Sequence, residues 1–199
     1  PLIFGEDVLS GGNFHAEPLA FVSDFMAIAV AEIGAMSERR TDLLARRINP
    51  DLNMFLTEEP GLECGMMIAH VTAAALASEN KTLAHPASVD SMPTSAGQED
   101  HVSMAPWAGL KLLQVCENTA RILAIELLAA ARALDEQRPL RTTLRLEDLH
   151  ARLRMAVPAT PGDHRLDRDI RAVSSLISGG TLLDILPNGE TGALHRATD

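Results

Sequence analysis

The chain has 199 residues and a mass of 21.4 kDa, which is the size of one domain or of one piece of a larger protein. Its 17 Lys and Arg residues against 27 Asp and Glu give a formal net charge of −10, so a nucleic-acid partner is not expected, because acidic surfaces repel phosphates. Hydrophobic residues make up 46% and aromatic residues only 3%, with no Tyr, a composition that favours closely packed helices over sheets.

The N-terminal region predicts a loop followed by a long helix. The opening Pro1-Leu2-Ile3-Phe4 is apolar and lacks Met, and we therefore expect the chain to be a fragment. Ser10-Gly11-Gly12-Asn13 is typical of a loop. A helix is predicted from Pro18 to about Arg40, since proline is tolerated in the first helical turn and apolar residues recur at helical spacing.

An Ala-rich helix is predicted in the middle of the chain. Asn49-Pro50-Asp51 and Pro60-Gly61 bracket an irregular stretch, after which the helix runs from about Glu63 to Ala84. His85-Pro86 ends it, because a residue before proline disfavours helical geometry. Residues 86–100 are polar and predict a loop.

The longest predicted helix runs from about His101 to Gln137, with an early turn or kink at Pro106, and is about 50 Å long. It is apolar on most faces, and one chain of this length has little material to cover it, so we expect oligomerisation. Two shorter helices are predicted near 145–156 and 167–179, with a frayed tail from Pro187. No strand is predicted.

The location expected from the sequence is the cytoplasm. Cys64 and Cys116 are too few for a disulfide framework and are expected to be small buried hydrophobes in a reducing compartment. The first residues do not have the pattern expected of a signal peptide, and no segment reaches the roughly 18 uninterrupted apolar residues of a membrane span. We therefore expect no membrane association.

Two segments could carry chemistry, and each has a structural alternative. Gly12 to Pro18 precedes a predicted helix, where free backbone N–H groups could bind an anion or carboxylate; alternatively it is a glycine turn that Asn13 caps locally. Ser95 and Gln98 have the spacing of a helix capping box. In the functional alternative, Glu99 faces a buried pocket and exchanges protons with a basic substrate or binds it.

The histidines do not predict a metal site. His15 and Glu17 form H-x-E, but no P-C-x-x-C follows, and no H-E-x-x-H occurs. His70, His85 and His101 are therefore expected to be structural hydrogen-bonding groups. The Met66-Met67 pair is more typical of core than of a pocket, and no nucleotide-binding glycine motif is present.

Several blocks of the sequence, in order, resemble histidine ammonia-lyases of the aromatic amino acid ammonia-lyase family. They are Ser10-Gly-Gly-Asn-Phe-His-Ala-Glu-Pro18, Ser37-Glu-Arg-Arg40, Phe55-Leu-Thr57, Ala73-Ala-Ala-Leu-Ala-Ser-Glu-Asn80 and the run from Asn80 to Met104, NKTLAHPASVDSMPTSAGQEDHVSM. The resemblance covers residues 1 to about 190 and is collinear with the C-terminal portion of those enzymes. It implies an all-α fold of the aspartase/fumarase-like superfamily, in which long helices of four subunits form one bundle.

The resemblance also implies a reaction and a prosthetic group. The family converts L-histidine to urocanate and ammonia with a methylidene-imidazolone that forms from Ala-Ser-Gly, and a tyrosine is thought to take the β-proton. This chain contains neither Ala-Ser-Gly nor Tyr. Both are expected upstream, no metal is required, and the 199 residues alone are expected to be inactive.

The site residues are carried over from the motifs. Glu99 matches the carboxylate that faces the substrate imidazole, Phe14 the pocket phenylalanine, and Met67 an apolar wall. An ionised acceptor suits an imidazole N–H, whereas phenylalanine- and tyrosine-selective relatives have Gln at the position of Glu99. The expected supporting residues are Asn13, His15, His85 and Gln98. Gly97 departs from the family, which usually has Asn there, so the order of this loop is in question.

We therefore expect one helical fragment over 1–199, with core helices and pocket loops in 1–137 and short helices and a tail in 138–199. The alternatives are a tyrosine or phenylalanine lyase or aminomutase, and a non-catalytic helical module that serves oligomerisation. Gln at position 99 would favour the first alternative, and a native start codon beside Pro1 the second.

Overall fold

A computed structural model of the chain describes residues 2–185. Most of them are helical, and each of the five helices expected from the sequence is present. The helices are α1 (Glu17–Ala45), α2 (Met67–Leu83), α3 (Ala105–Glu136), α4 (Leu144–Ala156) and α5 (Leu166–Ser178). Single 3₁₀ turns occur at Met54–Leu56, Ser95–Gly97 and Leu183–Ile185. The all-α class is confirmed, and the tail expected from Pro187 lies outside the described residues.

Local backbone geometry shifts the ends of the three long helices from their expected positions. α1 continues five residues past Arg40, to Ala45. α2 begins at Met67 rather than Glu63, because Gly65 has a φ of +52° and a Cβ there would lie 2.5 Å from a backbone oxygen. α3 begins at Ala105 rather than His101, directly after Met104, whose φ is +54°.

A β-hairpin precedes α1, so the expectation of no strand is wrong. Strand β1 (Leu2–Phe4) pairs with β2 (Asp7–Leu9) in antiparallel register, with Phe4 opposite Asp7. Gly5 has a φ of +64° in the two-residue turn, a conformation that glycine adopts at little cost. Strands of three residues are too short to show a period-two pattern, which is why the sequence did not indicate them.

Both cysteines are exposed free thiols in the structure. The expectation that Cys64 and Cys116 would be buried hydrophobes is therefore wrong. Cys64 lies in the irregular segment before α2, and Cys116 points away from the buried side of α3. Partial desolvation raises the pKa of the Cys116 thiol above its ordinary value.

The chain forms two compact units, and helices α1, α2 and α3 contribute residues to both. The first unit consists of Pro1–Glu32 and Glu79–Glu117; the second consists of Ile33–Ser78 and the chain from Asn118 onward. The division expected from the sequence, core helices in 1–137 and short helices in 138–199, follows chain order rather than compactness, and it stays a prediction.

The second unit holds the larger hydrophobic core. Small residues of α2 at four-residue spacing, Ala69, Ala73 and Ala77, are buried in one cluster with Ile122 and Ile125 of α3. Small side chains let helix backbones approach closely, which is what the Ala-rich sequence of α2 predicted.

A network of charged side chains lies beside this core. Glu38 is buried, and its carboxylate accepts hydrogen bonds from Arg39 and from His70 Nε2, the latter at 2.9 Å. Burial raises the pKa of Glu38, but the Arg39 and His70 hydrogen bonds outweigh it and hold the pKa below its ordinary value. Arg40 donates a hydrogen bond to Glu126 of α3 at 2.9 Å. The block from Ser37 to Arg40 therefore connects α1 to α2 and α3 within the second unit.

The first unit is organised around a buried ion pair. Lys111 Nζ of α3 lies 3.3 Å from Asp24 Oδ1 of α1, and both side chains are about 4% exposed. The Ser88 N–H donates to Asp24 at 2.8 Å, and Lys111 donates to the His85 carbonyl. Burial raises the pKa of Asp24, but hydrogen bonds from Ser88 and Ala87 and the Lys111 charge hold it below its ordinary value.

Helix α1 is long and apolar enough, by length and composition alone, to cross a membrane, and 22% of its most apolar stretch is buried. That stretch was read from the sequence as too interrupted for a span. Asp24 of α1, however, forms an ion pair with Lys111 of α3. Charged side chains are costly inside a bilayer, whereas in a folded core such a pair holds two helices together.

Candidate functional site

Two loops of the first unit line one cavity of about 840 Å³. One loop runs from Gly11 to His15, just before α1, and the other from Gln98 to His101, just before α3. Leu2 and Leu9 of the hairpin complete the lining. The two segments that sequence analysis singled out are therefore brought to the same place by the fold, although 86 residues separate His15 from His101.

The first loop presents an aromatic ring to the cavity. The Gly12 carbonyl accepts the His15 N–H at 3.0 Å, which closes a turn and leaves Phe14 at its tip. Phe14 is 81% exposed. A carboxylate, Glu17, occupies the first turn of α1 and complements the helix dipole, so the structure favours a glycine turn over an anion site here.

A tight turn from Thr94 to Glu99, with positive φ angles in its middle, leads into the second loop. Thr94 and Glu99 form an antiparallel bridge in which the Thr94 N–H donates to the Glu99 carbonyl at 2.9 Å. Between them, Ser95, Ala96 and Gly97 have φ values of +53°, +56° and +87°. Non-glycine residues in this region cost about 1–3 kcal/mol each, and such strain is typical of functional loops.

The capping-box interpretation of Ser95 and Gln98 is wrong. Ser95 has a positive φ rather than the extended geometry of an N-cap residue, and α3 begins only at Ala105. The positive-φ run displaces the helix start and leaves the side chains of Gln98 and Glu99 on a loop at the cavity.

The cavity is lined by acidic and imidazole side chains. They are the carboxylates of Glu99 and Asp100 and the rings of His15 and His101, and no Lys or Arg within residues 2–185 lines it. A cavity with this lining favours a neutral or cationic ligand over an anion. Within residues 2–185, no group of three His, Cys, Asp or Glu side chains is arranged to hold a metal ion.

Five of the seven predicted site residues line the cavity, and two do not. The five are Asn13, Phe14, His15, Gln98 and Glu99. Met67 is a half-buried residue at the start of α2 in the second unit. His85 belongs to the first unit, but it is exposed, and its backbone carbonyl accepts a hydrogen bond from the Lys111 ammonium.

Sequence reasoning missed two polar residues of the cavity, Asp100 and His101. His101 was expected to be a structural hydrogen-bonding group, and its carbonyl does accept a hydrogen bond from His15 Nε2 at 2.8 Å, while its ring stacks on His15 with centroids 5.2 Å apart. Its position two residues after Glu99 was the available signal, because loop residues adjoining a site residue commonly share its pocket.

The model of the aromatic amino acid lyase family matches residues 1–155, a stretch that contains both loops. The chain belongs to this family. Among curated relatives, it is 52% identical over 195 residues to histidine ammonia-lyase of Desulfotalea psychrophila, covering 94% of this chain and 38% of that protein. It is 53% identical over 189 residues to histidine ammonia-lyase of Burkholderia ambifaria, with 94% and 37% covered.

Solved structures of the family share the fold. A crystal structure of histidine ammonia-lyase from Trypanosoma cruzi superposes with a TM-score of 0.87 at 45% identity, over 94% of this chain and 38% of that one. Tyrosine aminomutase from Streptomyces globisporus gives 0.85 at 33% identity, over 92% and 35%. The aspartase/fumarase-like helical fold implied by the sequence blocks is confirmed, and the chain spans less than two fifths of the length of these relatives.

Proposed function

We propose that this chain is the C-terminal part of a histidine ammonia-lyase and supplies one wall of its substrate pocket. The observation that carries the proposal is that Glu99 and Phe14 line the same cavity of about 840 Å³. The overall reaction is an elimination: the Cα–N and Cβ–H bonds of L-histidine break, a Cα–Cβ double bond forms, and urocanate and ammonia leave. Curated relatives at 52–53% identity are named for this reaction.

Glu99 is proposed to hold the substrate imidazole. An ionised carboxylate accepts a hydrogen bond from an imidazole N–H and favours the imidazolium, and such charge-assisted bonds are about twice as strong as neutral ones. Because no Lys or Arg of the described part of the chain lines the cavity, the Glu99 charge is available to a basic ring. Gln98 and Asn13 flank the site and, with His15 and His85, are proposed to support it; Met67 is proposed as an apolar wall of the assembled pocket.

The prosthetic group of the family, a methylidene-imidazolone, has no precursor in this chain, which contains no Ala-Ser-Gly. The cavity fits such a group in one respect, because the Phe14 ring, 81% exposed, offers a flat apolar face for a planar ring. The group is an electrophile that activates the leaving amine. We propose that Phe14 packs near it, that upstream segments supply it together with the basic tyrosine, and that the 199 residues alone are inactive.

The complete protein is proposed to be a soluble cytoplasmic homotetramer, as the family resemblance implies, with no metal, nucleic acid or membrane needed for activity. The formal charge of −10 on the 199-residue chain agrees with a small basic substrate rather than a nucleic acid.

The test is Glu99→Gln in the complete polypeptide, assayed by urocanate absorbance. We expect kcat/KM for L-histidine to fall at least about tenfold, because the charge-assisted hydrogen bond between the Glu99 carboxylate and the substrate imidazole is lost. Glu59→Gln, on an exposed residue of the second unit, is the matched control and is expected to keep wild-type kinetics. Unchanged histidine turnover in Glu99→Gln would contradict the assignment.

Product analysis of the same enzyme by liquid chromatography separates the neighbouring activities. Structural relatives include a tyrosine aminomutase, so L-tyrosine and L-phenylalanine are tested beside L-histidine. Preference of the wild type for either aromatic substrate over histidine would replace the proposed function by the aminomutase or aromatic lyase alternative.

A further inference from the structure

His101 makes three contacts that join the two cavity loops. Its ring stacks on His15 with an interplanar angle of 10°. Its backbone carbonyl accepts a hydrogen bond from His15 Nε2 at 2.8 Å. Its own Nε2 lies 3.7 Å from Glu17 Oε2, in the first turn of α1.

The hydrogen bonds fix the form of the His15 ring. The Glu17 N–H donates to His15 Nδ1 at 3.2 Å, so Nδ1 is the acceptor nitrogen. In a neutral imidazole the other nitrogen, Nε2, then carries the proton, and it donates to the His101 carbonyl. Both ring nitrogens are thus used, and His15 bridges the start of α1 and the loop that contains Glu99.

Among the described residues, Glu17 has a buried carboxylate oxygen that accepts no hydrogen bond, and the His101 ring lies near it. Its side chain is 14% exposed, and among the described residues no hydrogen-bond donor reaches its buried Oε2. A buried carboxylate oxygen without a partner is costly, so a nearby cation or N–H group is favoured. The imidazole Nε2 of His101 lies 3.7 Å from this oxygen, just beyond hydrogen-bond distance, so a small movement of either side chain brings the two into contact.

The Glu99 loop requires such an attachment. Ser95 to Gly97 hold positive φ angles, and residues 95–100 are exposed. The bridge to Thr94 fixes Glu99 only to its own loop. The contacts of His101 attach that loop to the segment that carries Phe14 and Glu17.

We propose that His101 is a positioning residue for Glu99: stacked on His15, hydrogen-bonded to it through the backbone carbonyl and adjacent to Glu17, it holds the loop so that the Glu99 carboxylate faces the substrate imidazole. This proposal rests on the proposed function, because Glu99 is the group through which His101 acts. The role proposed for His101 is to orient Glu99, not to bind the substrate.

The experiment is a double-mutant cycle in the complete enzyme with L-histidine as substrate. We expect His101→Ala to raise KM about tenfold, with a smaller change in kcat, since Glu99 loses its fixed orientation toward the imidazole. In a Glu99→Gln background, the same substitution is expected to change KM by less than about twofold, because residues that act through one contact are not additive. A purely structural loss would lower the amount of active enzyme and leave KM unchanged.

Two further variants identify the pair. His101→Gln keeps an N–H donor near the position of Nε2, and its KM is therefore expected to lie close to that of the wild type. Glu17→Gln tests the same pair from the other side, and it decides the proposal if His101→Ala fails to assemble. The control is His164→Ala, which removes a histidine that pairs with Asp169 at 2.7 Å in the second unit and is expected to leave KM unchanged.

The outcomes separate the two proposals. If Glu99→Gln lowers kcat/KM for histidine but His101→Ala and Glu17→Gln leave KM unchanged, or act equally in both backgrounds, the positioning role is overturned and the proposed function stands. If Glu99→Gln has no effect on histidine turnover, both are overturned.

Discussion

At the scale of single residues, the conformation of Gly97 explains a departure from the family pattern. Its φ of +87° is accessible to glycine at little cost, and a Cβ at this position would meet nothing within 4 Å. The family residue, Asn, tolerates positive φ better than most side chains but less well than glycine. Gly97 is therefore compatible with an ordered loop beside Glu99, which the sequence alone left in question.

Substitution of Gly97 tests this interpretation. Gly97→Ala should lower the free energy of unfolding by about 1 kcal/mol through backbone strain alone, and Gly97→Asn should lower it less. Denaturant unfolding of the complete protein measures both. Gly109→Ala is the control: Gly109 lies inside α3 with open space at its Cβ, so the change should stabilise by about 0.5–1 kcal/mol. Equal effects at the two glycines would refute the strain argument.

At the scale of elements, the start of α4 shows how a short helix is fixed by its own ends. Thr143 is the N-cap, and its hydroxyl accepts the Leu146 N–H at 3.4 Å. Glu147 in the first turn accepts from Arg138 and from the Thr142 N–H, both at 2.9 Å. The Arg138 hydrogen bond, followed by that of Thr142, lowers the pKa of Glu147 to about 2.

This lowered pKa predicts a pH window for stability. A carboxyl whose pKa is lower in the folded state stabilises the fold at pH values above its unfolded pKa, here 4.5. That contribution is lost as the pH falls from 4.5 to about 2. Glu147→Gln should therefore flatten the fall of the unfolding temperature in this window, as followed by circular dichroism.

The matched control for this window is Thr143→Ala. It removes the cap and should cost about 1 kcal/mol at every pH, because no titrating group is lost. A Glu147→Gln curve parallel to the wild type from pH 4.5 to 2 would contradict the role given to Glu147.

At the scale of the whole molecule, the described residues carry large apolar side chains that remain exposed. On α1 they include Phe25 at 70% and Leu19 at 66%, and on α3 Leu113 at 64% and Leu110 at 60%. Large apolar side chains exposed along a helix are typical of contacts with other chains, because leaving them in water is unfavourable. This agrees with the oligomerisation expected from the long apolar helix, which stays a prediction.

The exposed apolar side chains predict association of the 199-residue chain in solution. Light scattering coupled to size exclusion should give a mass above 21.4 kDa, and replacing Phe25 and Leu113 by Lys should lower it. Met155→Lys is a control, since Met155 is also exposed, at 85%, but stands on the short helix α4. A monodisperse species of 21.4 kDa in the unaltered chain would refute the prediction.

The long helices and several of their ends could be predicted from the sequence, because apolar periodicity and proline act on neighbouring residues of the chain. Apolar spacing and the Pro18 and Pro86 signals located α1 and the end of α2, and the polar run 86–100 located the Glu99 loop. Three-residue strands, the late start of α3 and the exposure of Cys64 and Cys116 were not readable. Each depends on backbone geometry or neighbours that no short window contains.

By itself, the sequence determined the helical class, the family and the motif residues Phe14 and Glu99, because helix periodicity and motif identity are properties of the chain order. Only the tertiary structure decided that the loops of Phe14 and Glu99 line one cavity, and that His15 and His101 join them. Their meeting depends on hydrogen bonds and ring stacking across 86 residues of chain, and no local pattern encodes a contact at that separation.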